Sequence, residues 1–415
     1  MYKFFLSFLI SAFCNIAFAQ SQISEDSYTR YELLDPVSHK FRIVYDVTAT
    51  KAPNNFYYNT LRKGSEHKVD AVIDMTSGQP LVWSVVSGDE AKAAGLAEAE
   101  AGTDYLKIKL ERPLLAGAEY RLRIDKTYGD EQSYFVDGDV ITFTRSLGIR
   151  KNAIVLPIGF ELIGCNYPAQ VILENDGRIK ISFMNTGVGE VALKIMARKM
   201  KVQITVSKPS ASNQVSSTAI GPDKSKARVN YTIPERATQT REIVYFLQQP
   251  ETNSFRLYHD YTEVREGIDK YVNVVRAGSK ASNPSAKNLD TGKDLKVETL
   301  RGAEITNRKI EIGEMVTPET EIVVIWFNAV KKGQSTRIRI EETYTDPNRY
   351  LIYNNELIFD RSFGRLYNTV ILPDGWILTG SSIPAIVSLA DGKLKLDFAN
   401  DRPDEIDVFI KAVRR

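Results

Sequence analysis

The stretch Phe143-Thr-Arg-Ser-Leu-Gly-Ile-Arg-Lys-Asn-Ala-Ile-Val-Leu-Pro157 returns near the carboxyl end as Phe359-Asp-Arg-Ser-Phe-Gly-Arg-Leu-Tyr-Asn-Thr-Val-Ile-Leu-Pro373. In both places two residues ending in Gly and then an aromatic follow: Ile158, Gly159 and Phe160, then Asp374, Gly375 and Trp376. A spacing of Phe, Arg-Ser, Gly, Asn and Leu-Pro-x-Gly-aromatic that occurs twice is an internal duplication. It restricts the fold severely, because whatever backbone serves one copy must serve the other.

The register extends well beyond that segment. Phe41-Arg-Ile-Val-Tyr-Asp46 faces Phe255-Arg-Leu-Tyr-His-Asp260, and Tyr57, Asn59, Arg62 and Gly64 face Tyr271, Asn273, Arg276 and Gly278, at an offset of 214 positions. The offset becomes 216 where Arg123 and Tyr128 face Arg339 and Tyr344, and 215 where Asp176-Gly177 faces Asp391-Gly392. Indels this small belong in surface turns. The copies are expected at residues 31–199 and 245–414. Residues 200–244 between them read as a linker or bridging hairpin, since Lys208 to Asp223 is rich in Ser, Pro and Gly.

Each copy reads as sheet. Phe41, Ile43, Tyr45 and Val47 alternate with Arg42, Val44 and Asp46, and Leu122 and Ile124 alternate with Arg121, Arg123 and Asp125, the two-residue period of a half-buried strand. Val171-Ile-Leu173, Asp176-Gly177 and then Ile179, Ile181 and Phe183 predict a hairpin, because Asp-Gly tolerates the positive φ of a tight turn. Helix is expected only in one or two turns between Gly88 and Gly102, and not in the counterpart after Gly302. The expected fold is all-β: two tandem, internally duplicated antiparallel β-sandwich domains with little helix, each copy open to division into two lobes.

The chain has 415 residues, 54 basic against 52 acidic, and 43% hydrophobic residues, which gives ordinary globular composition and no basic field for nucleic acid. Met1-Tyr-Lys3, an apolar run from Phe4 to Phe18 and the small-x-small Ala17-Phe-Ala19 predict a cleaved signal peptide over residues 1–19. Export to the periplasm or the cell exterior is the expectation, with no membrane span left after cleavage. Cys14 leaves with the leader, and Cys165 remains alone, so no internal disulfide is expected. Ser381 stands where the second copy would have that cysteine, which points to a small buried side chain rather than a thiol nucleophile.

Recognisable chemistry is sparse. His39, His67 and His259 are the only histidines and have no metal-ligand spacing, and no nucleophile elbow, phosphate loop or dinucleotide fingerprint occurs. No catalytic residue, metal or cofactor is therefore assigned. The ligand-binding candidates are Arg145, Ser146, Arg361 and Ser362, where a guanidinium with a hydroxyl beside it would clamp a carboxylate, sulfate or phosphate. The structural alternative, which the repetition of the whole loop favours, ties each Arg to a carboxylate such as Asp130 or Asp346. Trp376 and Tyr367 are the candidates for a flat sugar platform, with Tyr57, Tyr58, Trp83 and Phe160 as further members; Trp376 leads because a large ring at a bend is placed to be exposed.

The function expected on these grounds is an exported, non-catalytic binding or scaffolding protein of the bacterial cell envelope, its partner an envelope protein or a polysaccharide. Two other readings stand beside it: a secreted polysaccharide hydrolase or lyase with its site between the copies, and an accessory subunit of an exported protease or uptake complex. The oligomeric state is not legible.

Overall fold

The computed structural model describes residues 27–51, 54–116, 119–187, 189–201, 242–332, 334–402 and 404–415. The predicted leader (1–19) and all but the ends of the predicted linker (200–244) lie outside the described residues.

The first copy opens with strands β1 (Tyr28–Leu33), β2 (Lys40–Ala49), β3 (Asn54–Leu61), β4 (Glu66–Asp74), β5 (Trp83–Ser87), β6 (Asp104–Leu114) and β7 (Tyr120–Gly129). It closes with β8 (Tyr134–Asp137), β9 (Val140–Leu147), β10 (Lys151–Val155), β11 (Phe160–Leu173), β12 (Ile179–Met184) and β13 (Val191–Lys199). The second copy repeats the series as β14 (Glu242–Leu247), β15 (Ser254–Glu263), β16 (Lys270–Val274), β17 (Lys280–Asn288), β18 (Lys296–Arg301), β19 (Glu321–Trp326) and β20 (Thr336–Thr345). Its closing half is β21 (Tyr350–Tyr353), β22 (Glu356–Phe363), β23 (Tyr367–Ile371), β24 (Trp376–Ala390), β25 (Lys393–Ala399) and β26 (Ile406–Arg414). Among the described residues the α-helices are α1 (Gly88–Ala93) and α2 (Ala303–Asn307), which follow β5 and β18, and single 3-10 turns lie at Pro36–Ser38 and Pro250–Thr252.

Pairing is the same in both halves. The first runs β4-β7-β2-β1-β10-β12-β11-β13-β9-β8, and the second runs β17-β20-β15-β14-β23-β25-β24-β26-β22-β21. A long strand turns each run into a sandwich. The first half of β11 pairs with β13 and its last residues pair with β12, with a register break between Cys165 and Ala169, where Asn166-Tyr-Pro168 bends the chain. One strand thus belongs to both layers, the usual way a sheet turns a corner. The apolar positions of both layers close on Tyr31, Phe41, Tyr128, Tyr134 and Phe143, with Tyr245, Phe255, Tyr344, Tyr350 and Phe359 in the second copy.

Each copy also carries a three-stranded sheet, β3-β6-β5 and β16-β19-β18. The first packs Leu106 and Ile108 against Val47, Val72, Leu122 and Ile124 from the far ends of β2, β4 and β7, which makes a second lobe with its own core. In the second copy Val323 and Ile325 face inward while Ile322 and Val324 pack against Ile305 of α2, so β19 is buried on both faces and reads as an unbroken apolar run.

Two expectations need correction. The sandwich is not wholly antiparallel: β1 pairs with β10, and β14 with β23, in parallel. Those strands are far apart in sequence, so no hairpin constrains their relative direction. The segment after Gly302 is helical after all, as the five-residue α2, which lacks the capping box that Ser87 and Glu90 supply to α1. The apolar runs flanking Asp176-Gly177 that predicted the Val171–Phe183 hairpin do form one, and its second-copy counterpart explains the last indel. Glu174 and Arg178 close a loop of Asn175-Asp-Gly177, whereas Ala390 pairs directly with Lys393 across Asp391-Gly392, both at positive φ. A three-residue turn has become a two-residue one.

Candidate functional site

A buried polar region lies where the small sheet of each copy meets the main sheet, and it is built twice from matched positions. In the first copy Lys126 of β7 is buried, and its Nζ donates to Asn59 Oδ1 at 2.5 Å. The same ammonium lies 5.3 Å from the Tyr128 ring centroid. Desolvation, with repulsion from Arg145, pulls its pKa down to about 8. In the second copy the position is Glu342. Asn273 now turns its amide nitrogen to the carboxylate, donating at 3.1 and 2.8 Å, and also to Tyr344 Oη at 3.0 Å. One asparagine serves a cation in one copy and an anion in the other because its amide offers both an acceptor and donors.

Burial pushes the Glu342 carboxyl up to about 7, against the opposing pull of Asn273, Tyr344 and Arg365. Two further exchanges accompany the swap. His259 stands where the first copy has Tyr45, and Arg365 where it has Ile149. Arg365 Nη2 donates to His259 Nδ1 at 2.8 Å and to Tyr271 Oη at 3.2 Å. His259 is buried with no partner on Nε2, and burial followed by the Arg365 charge holds its pKa well below the ordinary histidine range. Arg365 therefore supplies the compensating charge beside the buried acid, a role the first copy does not need.

The conserved-looking Arg-Ser pair divides between two environments. Arg145 Nη1 is 3.4 Å from Asp130 Oδ2, and its guanidinium carbon sits 5.3 and 5.8 Å from the Phe41 and Tyr128 rings. Arg361 repeats this with Asp346 at 3.3 Å and the Phe255 ring at 5.0 Å. The carboxylates are the two named from sequence. Ser146 is exposed, and Ser362 Oγ donates instead to Asp407 Oδ1 at 2.9 Å. Successive residues of a strand point to opposite faces. Arg and Ser therefore do not converge on one ligand, which corrects the clamp.

Trp376 is corrected as well: it is only 4% exposed, and its Nε1 donates to Gln249 Oε1 at 3.0 Å under the Arg414 guanidinium. Asp374, the first residue of the bend, takes the exposed place, and Trp376 opens β24 facing inward, as Phe160 opens β11. Of the aromatic candidates only Tyr367, at 57%, and Trp83, at 39%, are exposed, and they lie on different sheets of different copies. They form no common platform. Tyr367 does border a groove of about 210 Å³ with Glu242, Asn368, Thr369, Lys395, Asp397 and Phe398. Asp397 accepts from Thr369 Oγ1 at 2.6 Å and pairs with Lys395 at 2.9 Å. The first copy has Lys151 in place of Tyr367.

Sequence reasoning missed the junction between copies. Glu161 is buried there, accepts from Arg198 Nη2 at 2.9 Å, and takes two contacts at 2.8 and 2.7 Å from Arg415 of the second copy. The matched position is Ile377, paired with Val413 where β11 pairs Glu161 with Arg198. The mismatch of Glu with Ile was visible, but only the pairing of the copies reveals its partner. Cys165 is buried, donates to the Tyr167 carbonyl at 3.1 Å and has its pKa pushed up to about 11 by burial; Ser381 makes the same contact to the Ile383 carbonyl at 2.7 Å.

No cluster of three or more potential metal ligands occurs among the described residues. None of their helices is long and apolar enough to cross a membrane.

No family model matches the chain, and no curated protein does. Among solved structures, an M1 zinc metallopeptidase from Deinococcus radiodurans is similar at 13% identity and a TM-score of 0.28, covering 41% of each chain. The collagen adhesin of S. aureus is similar at 9% identity and a TM-score of 0.17, covering 95% of this chain and 97% of that one. This chain thus spans 41% of the peptidase it matches, and scores this low carry neither fold nor function across.

Proposed function

We propose that the protein is an exported, non-catalytic scaffolding or binding protein of the bacterial cell envelope, made of a leader (1–19), a first copy (31–199), a joining segment (200–244) and a second copy (245–414). The observation that carries this reading is the direct pairing of β11 with β24, which joins the two copies into one 20-stranded sheet. Such a joint fixes two related surfaces at a constant separation, the property a scaffold needs. The candidate arginines support it, since Arg145 and Arg361 are committed to internal carboxylates. The groove at Tyr367, a position the first copy fills with Lys151, is the surface we assign to the partner, either an envelope protein or a polysaccharide.

The rival hydrolase reading puts its acids between the copies. Glu161 lies there, but both of its oxygens already accept from guanidiniums, Oε1 from Arg198 and Oε1 and Oε2 from Arg415, so the carboxylate is committed to the joint. The test is in two parts. Mature protein is crosslinked in its native envelope, with Tyr367→Ala in parallel, and is also incubated with envelope polysaccharides while new reducing ends are measured. A discrete crosslinked species or retained glycan that is lost in Tyr367→Ala is the expected result. Reducing ends released by the wild type, or a chain recovered from the cytoplasm with its leader intact, overturns the proposal.

A further inference from the structure

Strand β5 is an edge that the second copy has blunted and the first has not. Among the described residues it pairs only with β6, leaving its other side open. From Pro80 to Gly88 there is no charged residue. Val82 is 74% exposed, Trp83 39% and Val85 46%. Trp83 and Val85 lie opposite Ile108 and Leu106, on the same face as those core residues, yet both are exposed and lie outside the packed core of the small lobe. An uncharged, apolar, proline-free edge is what natural sheets avoid unless a strand is to be added there.

The internal duplication supplies the control. The matched edge, β18, reads Lys296-Val-Glu-Thr-Leu-Arg301, with Glu298 paired to Lys296 at 3.0 Å and to Arg308 at 2.9 Å. Charges of that kind are how an edge is protected from pairing. Two strands of common origin in one molecule thus differ in the feature that governs strand addition.

The occupant follows from the pattern of β5 itself. With no charge on it, the strand offers nothing to attract a charged partner, and its order is self-complementary. An antiparallel second β5 centred on Ser84 sets Trp83 against Val85 and Val82 against Val86, apolar against apolar at each pair. Pairing of a patch with itself about a twofold axis gives a closed dimer rather than a fibre. We propose that β5 is a dimerisation edge, and that a second copy of this chain adds its own β5 in antiparallel register about Ser84.

Sedimentation of the full mature chain tests this. The wild type shows a reversible, concentration-dependent dimer. Val85→Lys places two ammonium groups near the axis and raises the dimer dissociation constant at least tenfold, while Thr299→Lys on the matched edge of the second copy leaves it unchanged. Both positions are exposed, so the melting temperature of each variant stays near that of the wild type. Ser84→Cys gives an independent reading of register: facing itself across the axis, it oxidises to a disulfide-linked dimer, with Cys165 buried and out of reach. A wild type that is monomeric at every concentration, a dimer that survives Val85→Lys, or a Ser84→Cys variant that stays reduced while the dimer forms, overturns the proposal.

Discussion

At the scale of single residues, the duplication acts as a substitution experiment in which the surroundings are held nearly constant. Arg145 with Asp130 and Arg361 with Asp346 were kept, and both pairs are enclosed by aromatic rings. Removing the cation leaves a carboxylate facing those rings. Arg145→Ala and Arg361→Ala should each cost about 3–5 kcal/mol in denaturant unfolding, and a variant as stable as the wild type would contradict the structural role. Lys126 and Glu342 were exchanged, and here the sign of the pH effect discriminates. The carboxyl of Glu342 has an ordinary value of 4.5 and is pushed up to about 7 in the fold, so the folded chain binds its proton more tightly than the unfolded one. Its contribution is at its most favourable below 4.5 and is lost as pH rises through 7. Glu342→Gln removes that loss. The stability of Glu342→Gln relative to the wild type should therefore grow between pH 4 and 8, by an amount on the order of 3 kcal/mol at most, and a difference flat with pH would sink the assignment. This cluster was only half legible beforehand. Tyr57, Asn59 and Tyr128 stood out as repeated, but nothing in the sequence singles out Lys126 against Glu342, because a swap of sign carries no mark of burial.

At the scale of elements, strands were readable where one face meets water, as in β2 and β7. There Arg42 reaches Asp125 with Nε–Oδ1 at 2.8 Å and Arg123 reaches Asp46 at 2.6 Å, and Arg339 repeats the latter contact with Asp260 at 2.7 Å. Alternation specifies the strand and its face but not which distant strand lies beside it, so the parallel neighbours β1 and β10 escaped notice. Helix α2 escaped for a different reason: five residues are too few to show a helical period. Its matched start and that of α1 share a glycine with a definite purpose. A side-chain carbon on Gly88 would sit 1.8 Å from the Glu100 carbonyl oxygen, and one on Gly302 would sit 3.1 Å from the Pro318 backbone. The loop returning from each helix passes over the glycine. Gly88→Ala should displace that loop and cost about 1–3 kcal/mol, read by thermal melting, with increased amide exchange over residues 94–103. Unchanged exchange there would mean that the loop does not depend on the close approach.

At the scale of the whole molecule, the joint between copies has the symmetry of a dimer interface inside one chain. Cys165 pairs with Val387, Val171 with Ser381 and Ala169 with Ala385. In the numbering of the repeat, Ser381 is the counterpart of Cys165, Val387 of Val171 and Ala385 of Ala169, so exchanging the copies turns the first two pairs into each other and the third into itself. Such reciprocity is the mark of an isologous contact, in which one patch meets itself. An ancestral single copy that paired through this strand, later fused to its twin, accounts for the register without further assumption. The fused form has since become unequal: Glu161, Arg198 and Arg415 fill one side of the joint, whereas Ile377 and Val413 occupy the matched positions. Near the axis both copies keep a buried alanine, since the two side chains of a directly opposed pair approach closely. That closeness gives a test of whether the copies unfold together. With the joint intact, calorimetry should record one cooperative transition whose calorimetric and van't Hoff enthalpies agree. Ala169→Leu adds volume against Ala385, forces β11 and β24 apart, and should split the melt into two transitions. A single transition that persists at the wild-type temperature in Ala169→Leu would show that the copies are coupled by something other than this pair of strands.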